Sequence, residues 1–408
     1  MNVPVHIHSV PAVRGQINAN TTAKQRILLA TLILMAVQQL LLVVVPLGTQ
    51  ALFHKPYTWK TIFATNLTQW DGQWLLQIAQ SGYMNLAHTA FFPLYPGVVR
   101  IVDDVTRLGY SASALLISLV CLAVALYVLG LWMYEQFNLH TSLLGLTMLA
   151  LFPTSFFFRA AYTESMFLAL SVTAVYLSSH RHFFAAGTVV ALAALTRNTG
   201  ALLDIVLLWD YVNSRSMGWT FWKASWWRKV DVNVAGLFFP AVALLLFFIW
   251  LKFHTGYFLA FLHAEQVWHR TFGLPWMTIG SSVFQLFQRQ QLSNLPYHLL
   301  EVGSLCLVLL ALGYGLSSAR RSSHQMGNYL YLILVLWVCT TAPAKSGNGL
   351  HQWDYLLSMS RFVLMMYPVF AYLANAIHRK STAISLAAVS VVLSCVVYGA
   401  FCVGVFIA

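Results

Sequence analysis

The residues best suited to chemistry begin with Trp70-Asp71-Gly72-Gln73-Trp74. Asp71 could accept the proton of an attacking hydroxyl. Trp70 and Trp74 could seat a carbohydrate or a lipid headgroup, and Gly72 leaves room for close approach. The same stretch also reads as a helix start capped by Asp71, and spacing alone favours the cap. A second carboxylate, Glu164, follows a Pro- and Phe-rich corner at 152–163. It would enter the next helix near its N-terminus, where the macrodipole favours a negative charge, or it could orient an acceptor or Asp71. Arg197, in Leu195-Thr196-Arg197-Asn198-Thr199-Gly200, and Arg361, in Ser360-Arg361-Phe362, carry paired donors that match a phosphate. Either could instead snorkel to the membrane interface, and buried ion pairs with the two carboxylates are almost as good a reading. In His263-Ala264-Glu265-Gln266-Val267-Trp268-His269-Arg270, Glu265 and His269 share a helical face. The usual zinc spacings are absent, so a polar surface for substrate, including Gln266 and Arg270, is favoured over a metal centre. His351-Gln352-Trp353-Asp354 is a weaker candidate. The adjacent Asp103 and Asp104 point to different helix faces and read as a solvated surface.

These groups must be held by a greasy chain. Of 408 residues, 59% are hydrophobic and 8% charged, against roughly 25% charged in soluble domains. The expected class is an all-α polytopic membrane protein. The net charge of +12 is scattered between apolar segments and indicates no nucleic acid. Cys121, Cys306, Cys339, Cys395 and Cys402 lie in apolar stretches without pairing motifs and read as small core residues. No ATP-binding, serine-hydrolase or dinucleotide fingerprint is present. The pattern predicts a polar, poorly ordered, cytoplasmic N-terminus over 1–25, then one transmembrane domain over 26–408. The first span, 27–47, is too long for a signal-peptide core and reads as an anchor. A first outer loop with short amphipathic helices occupies 48–110, and about eleven spans are expected in all, at 27–47, 111–134, 142–157, 162–179, 183–196, 200–213, 233–254, 296–316, 327–343, 361–377 and 382–407.

With a cytoplasmic N-terminus, the inner loops hold Arg181; Arg215, Lys223, Arg228 and Lys229; Arg320 and Arg321; and Arg379 and Lys380. That is the positive-inside pattern. The other face collects Asp71, Asp103, Asp104, Glu164, Glu265, Glu301 and Asp354, with the basic residues Arg159, Arg197, Arg270 and Arg361. Ionisable groups near a bilayer are costly and mark function, so this face is expected to be the working one. Intramembrane charge also marks transporters and lipid flippases, but the internal repeats such proteins carry are not seen.

Taken in order, Trp70-Asp71, Ile78-Ala79, Gly82-Tyr83, Ala90-Phe91-Phe92-Pro93-Leu94-Tyr95-Pro96, Phe152-Pro153-Thr154-Ser155-Phe156-Phe157, Tyr162-Thr163-Glu164-Ser165 and Leu195-Thr196-Arg197-Asn198-Thr199-Gly200 resemble the mannosyltransferase PIG-V family. Gln266, Trp268, Arg270, Ser360-Arg361-Phe362 and Pro368 extend the likeness, which covers about 65–370. The family includes GPI mannosyltransferase II and prokaryotic homologues. The resemblance implies a GT-C-like bundle that moves a sugar, mannose above all, from a polyprenyl-phosphate donor to a lipid-linked or glycan acceptor. Its active face would be lumenal or extracytoplasmic, in the endoplasmic reticulum of a eukaryote or the plasma membrane of a prokaryote. Asp71 and Glu164 stand where the wider class places its acidic residues, which tips Asp71 from cap to base. Trp70, Trp74, Arg197, Gln266, Arg270 and Arg361 become substrate-binding expectations. No cofactor beyond the lipid-phosphate donor and no metal is expected, and protein partners are not legible. The chain departs from the family at Leu75, where prokaryotic relatives often carry tyrosine, and over 84–89, which holds His88 in place of acidic and glycine residues.

Overall fold

The computed structural model describes residues 10–53, 58, 61–267, 270–287, 295–345, 353–356, 358–405 and 407. Helices dominate: α1 Val10–Phe53, α2 Asp71–Ser81, α3 Leu94–Thr106, α4 Tyr110–Gln136, α5 Leu139–Ala150, α6 Glu164–Ser179, α7 Phe183–Thr196, α8 Asp204–Ser214 and α9 Ala224–Trp227. After them come α10 Phe239–Thr255, α11 Ala260–Val267, α12 Pro275–Gln285, α13 Leu295–Arg321, α14 Ser323–Thr340, α15 Met359–Phe362, α16 Tyr367–Ala376 and α17 Lys380–Cys402. Among the described residues, the all-α expectation has one exception. Ala344–Lys345 and Trp353–Asp354 pair as an antiparallel ribbon, β1 and β2, to which Arg270 adds a bridge at Ala344.

Among the described residues, five helical stretches are long and apolar enough to cross a bilayer: Asn20–Leu52, Tyr110–Gln136, Val232–Thr255, Leu295–Arg321 and Lys380–Cys402. This is a multi-pass membrane protein. The other expected spans are helical but shorter or broken. The segment 142–157 stops at Ala150 and turns through the corner containing Pro153. The segment 361–377 is divided into α15, a 3-10 turn and α16, because Pro368 lacks the N–H to continue a helix from before Tyr367. At the other end α1 starts earlier than expected. Its polar first turns, read as a poorly ordered tail, are helical from Val10, and between Gly15 and Pro46 no Gly or Pro interrupts propagation from the apolar span.

The core lies where α4, α6, α7, α13, α14 and α16 meet, around Leu126, Leu129, Phe167, Val308, Tyr367 and Phe370. A second apolar cluster, with Leu75, Leu76, Tyr95, Val99, Ala114 and Ile117, lays α2 and α3 of the outer loop against α4. Polar bonds fix that seat. The Tyr95 hydroxyl reaches Ser118 Oγ at 3.2 Å, and Ser118 Oγ donates to the Ala160 carbonyl at 2.7 Å.

The turn after α7 positions Arg197, and it depends on Gly200. The Gly200 N–H donates to the Arg197 carbonyl at 2.8 Å. A Cβ on Gly200 would lie 2.3–2.5 Å from backbone atoms of Ala193 and Ala194. Backbone cannot yield as a side-chain tip can. We therefore expect Gly200→Ala to cost at least about 2 kcal/mol, read as a fall in the thermal midpoint of detergent-purified protein. Gly97→Ala, inside α3 and with nothing within 4 Å of the added carbon, is the control and should melt no lower than the parent, since alanine is the better helix former.

Candidate active site

Asp71 opens α2, but as its first helical residue. The cap position belongs to Trp70, held at a φ of 55°, and no side chain caps the helix. The Asp71 carboxylate instead accepts a 2.7 Å hydrogen bond from Arg361. The capping reading therefore gives way: a buried guanidinium competes better for the carboxylate than a helix end open to solvent. Gly72 does not make room for a substrate either. A Cβ there would meet the Ala161 carbonyl and the Tyr162 ring, both at 3.3 Å. Its smallness brings α2 against the 160–163 corner, where Tyr162 donates to the Gln69 carbonyl at 2.9 Å.

Glu164, fully buried, opens α6 and joins two arginines. Arg197 donates to its Oε1 at 2.8 Å and to Thr163 Oγ1 at 2.9 Å. Arg361 Nε stands 3.2 Å from the same oxygen, an ion pair without hydrogen-bond alignment. Glu164 Oε2 and Arg361 Nε are buried and make no hydrogen bond among the described residues. Arg361 thus bridges the two carboxylates, and two negative charges face two positive ones. A third pair stands beside them, with Arg270 Nε 3.4 Å from Glu265 and its Nη1 donating to the Ala342 carbonyl at 3.2 Å. The Phe362 ring organises all three cations: the guanidinium carbons of Arg197, Arg270 and Arg361 lie 5.6, 5.9 and 6.0 Å from its centroid. Burial pushes the Glu265 carboxyl above its ordinary range, and Arg270 pulls it back.

These groups line a cavity of about 380 Å³, within the usual range for small-molecule sites. Trp70, Trp74, Asp71, Glu164, Arg197, Arg270 and Arg361 all border it, as does Glu265, and Phe91, Phe92, Phe261 and Leu262 give it an apolar side. Gln266 does not join them. It is exposed on α11, one residue past Glu265 and so turned about 100° away. Trp268, His269, His351 and Gln352 lie outside the described residues. Asp103 accepts a bond from Ser113 Oγ at 3.2 Å, and Asp104 is exposed, as a solvated helix face requires. Among the described residues no three His, Cys, Asp or Glu side chains converge as a metal site would need.

Residue reasoning missed the roles of Phe362, Tyr162 and Thr163, although each stands beside a singled-out charge. It also missed His88. That buried ring packs edge-on against Trp74 at 5.4 Å and accepts from the Met84 N–H at 3.1 Å. Burial holds its imidazole below the ordinary range, so it stays in the neutral form that acceptance needs. The departure at His88 thus positions a tryptophan of the cavity.

The family model for mannosyltransferase (PIG-V) matches residues 56–287. The chain is 32% identical over 154 residues to GPI mannosyltransferase 2 of Drosophila melanogaster, a match spanning 33% of each protein. To GPI alpha-1,6-mannosyltransferase 2 of Mus musculus it is 32% identical over 149 residues, covering 33% of this chain and 29% of that one. Each match therefore spans about a third of the relative's length. Among solved structures, the Archaeoglobus fulgidus oligosaccharyltransferase complexed with zinc and sulfate aligns with a TM-score of 0.45 at 13% identity, over 89% of this chain and 53% of that one. ArnT from Cupriavidus metallidurans in the apo state gives 0.44 at 14%, over 74% and 53%. Because the family model accounts for more than half of the 408 residues, and takes in Asp71, Glu164, Arg197 and Arg270 of the cavity, the chain belongs to the mannosyltransferase (PIG-V) family.

Proposed function

We propose that this protein is a GT-C-type mannosyltransferase of about eleven spans that moves mannose from a polyprenyl phosphate to a hydroxyl of a lipid-linked or glycan acceptor. Its cavity would open to the extracytoplasmic or lumenal side. The observation that carries the reading is the convergence of Asp71, Glu164, Arg197 and Arg361, spread over 290 residues of sequence, on one cavity with both polar and apolar walls. Pure scaffolding would not need two arginines and two carboxylates at the edge of a space that size, and taking charge out of water is costly.

The chemistry follows from the pairing. The arriving phosphodiester is an anion and competes with Asp71 for Arg361. As Arg361 turns to the phosphate, the Asp71 oxygen it had occupied is left open to the acceptor hydroxyl and can take its proton. The acceptor oxygen bonds to the anomeric carbon from the face opposite the phosphate. The carbon–oxygen bond to phosphate breaks, and the electron pair leaves with the polyprenyl phosphate. Arg361 and Arg197 meet the charge that builds there, stronger partners for the transition state than for the bound donor. Donor thus binds first and readies the base. A second carboxylate competes for the base role: Glu265 borders the cavity, its partner is longer at 3.4 Å, and burial raises its affinity for a proton.

The direct test uses purified protein in proteoliposomes with labelled dolichyl-phosphate mannose and a total-lipid extract as acceptor. Labelled mannose is expected in a new lipid or glycan product, with polyprenyl phosphate released. Labelled donor crossing the bilayer without a product would make the protein a transporter and overturn the proposal. Arg270 stands at the side of the cavity and pairs less closely than Arg361. Arg270→Ala is expected to raise KM for the donor about tenfold with kcat within about threefold, the signature of binding shared by ground and transition states.

A further inference from the structure

The mechanism starts from Arg361 set between two carboxylates at the cavity edge, from where it can meet the donor phosphate, yet the Arg361 side chain does not aim itself. It follows Ser360, fully buried, whose backbone and side-chain polar groups are held from two elements. The Ser360 N–H donates to Glu301 Oε2 at 2.9 Å. Its hydroxyl donates to Glu301 Oε1 at 2.6 Å. Its carbonyl accepts from Thr154 Oγ1 at 2.7 Å. Glu301 belongs to α13, is 1% exposed, and does not border the cavity. Thr154 comes from the corner between α5 and α6. One residue before this clamp, Met359 starts α15, and before that Ser358 sits at a φ of 71°, a left-handed backbone that non-glycine residues keep only when their surroundings hold them there.

We propose that Glu301 is a positioning residue for the transfer reaction. Its carboxylate holds Ser360 by two charge-assisted hydrogen bonds, and so sets the direction in which Arg361 leaves the backbone. Several features distinguish this from a buried carboxylate that only satisfies a stray N–H. Both of its oxygens reach the same residue. The hydroxyl bond is short, as bonds to an ionised acceptor are. The Thr154 bond holds the remaining polar group of the same residue, and the next residue bridges Asp71 and Glu164. A shift of about 1 Å in a catalytic group placed this way can cost about a hundredfold in rate.

The inference rests on the transferase reading for its activity readout, so the test includes one that does not. Glu301→Leu keeps the side-chain bulk and removes both acceptors. It is expected to lower kcat about a hundredfold with KM for the lipid donor within about threefold. Glu301→Gln can still accept from the Ser360 N–H and can donate to its hydroxyl, so it should recover kcat to within about fivefold of the parent. Ser360→Ala, which leaves Glu301 in place, should lose about tenfold, and combining it with Glu301→Leu should add little, since groups acting as one unit are not additive. Amide exchange at Ser360 and Arg361 in the purified protein needs no turnover. It should be slow in the parent and at least about tenfold faster in Glu301→Leu, the opening expected when a buried backbone bond is removed. Parental kcat in Ser360→Ala, equal inactivity of the Gln and Leu variants, or unchanged exchange at Arg361 would each overturn the proposal. If the parent transfers no mannose, the transferase reading fails by itself, and the exchange comparison still decides whether Glu301 holds the arginine.

Discussion

Asp71→Asn is expected to reduce kcat by about 10²–10⁴-fold, the range a positioned general base contributes, while the protein still folds and binds donor. The substitution suits the site because it is isosteric. The replacement side chain would keep an amide oxygen facing Arg361 Nη1, now 2.7 Å from Asp71 Oδ2, and Glu164 remains beside the same guanidinium. Arg361 is then not stranded as a lone buried cation, so the loss falls on turnover rather than on stability. What disappears is the capacity to take a proton. The measurement is initial-rate transfer of labelled mannose in proteoliposomes, with donor varied to separate kcat from KM, alongside a thermal melt. Glu265→Gln is measured beside it. If Asp71→Asn transfers at the parental rate while Glu265→Gln is silent, the base is Glu265. If both retain full rate, neither Asp71 nor Glu265 takes the proton and the proposed proton transfer is wrong.

The charged half of the site was legible before any fold was known. In a chain with 8% charged residues, each ionisable group beside an apolar span has to be explained, since bilayer burial without purpose is costly. Asp71, Glu164, Arg197 and Arg361 stand out for that reason, and they meet. The aromatic half was not legible. Phenylalanine, tyrosine and tryptophan make up 14% of the residues, and nothing in spacing separates Phe362, which faces three guanidiniums, from a ring that faces lipid. Gln266 failed for the opposite reason. It shares a conspicuous polar stretch with Glu265 and Arg270, but neighbours on a helix point about 100° apart and only one can face the cavity. Glu301 reads onto the same face as the other carboxylates but shows no role in the sequence, because its partner, Ser360, lies 59 residues away. The broken spans follow from Pro153 and Pro368, which hydropathy does not weigh. The charged corners lie where the helices break, because a polar cavity supplies partners for backbone groups that hydrocarbon could not.

Glu164→Gln is expected to destabilise the protein by about 3–5 kcal/mol, the cost of removing one partner from a buried ion pair, and to abolish transfer. Glu164 is fully buried and takes Arg197 at 2.8 Å and Arg361 at 3.2 Å on one oxygen. Its neutral replacement leaves two guanidiniums to share Asp71. The stability loss and the activity loss then have different causes, and a second substitution separates them. Glu164→Gln combined with Arg197→Gln removes one charge of each sign and restores neutrality, leaving Arg361 with Asp71. The double variant should be more stable than Glu164→Gln alone by about 1–3 kcal/mol, a coupling typical of groups in contact, and should remain inactive because the leaving phosphate has lost a cation. Unfolding midpoints in detergent and transfer rates in vesicles read the two effects independently. A Glu164→Gln variant as stable as the parent would mean that solvent reaches Arg197 and Arg361 freely, and the closed, charge-paired cavity on which the transfer mechanism depends would have to be abandoned. A double variant that regained activity would show that Arg197 serves only to neutralise Glu164, leaving Arg361 alone to meet the departing phosphate.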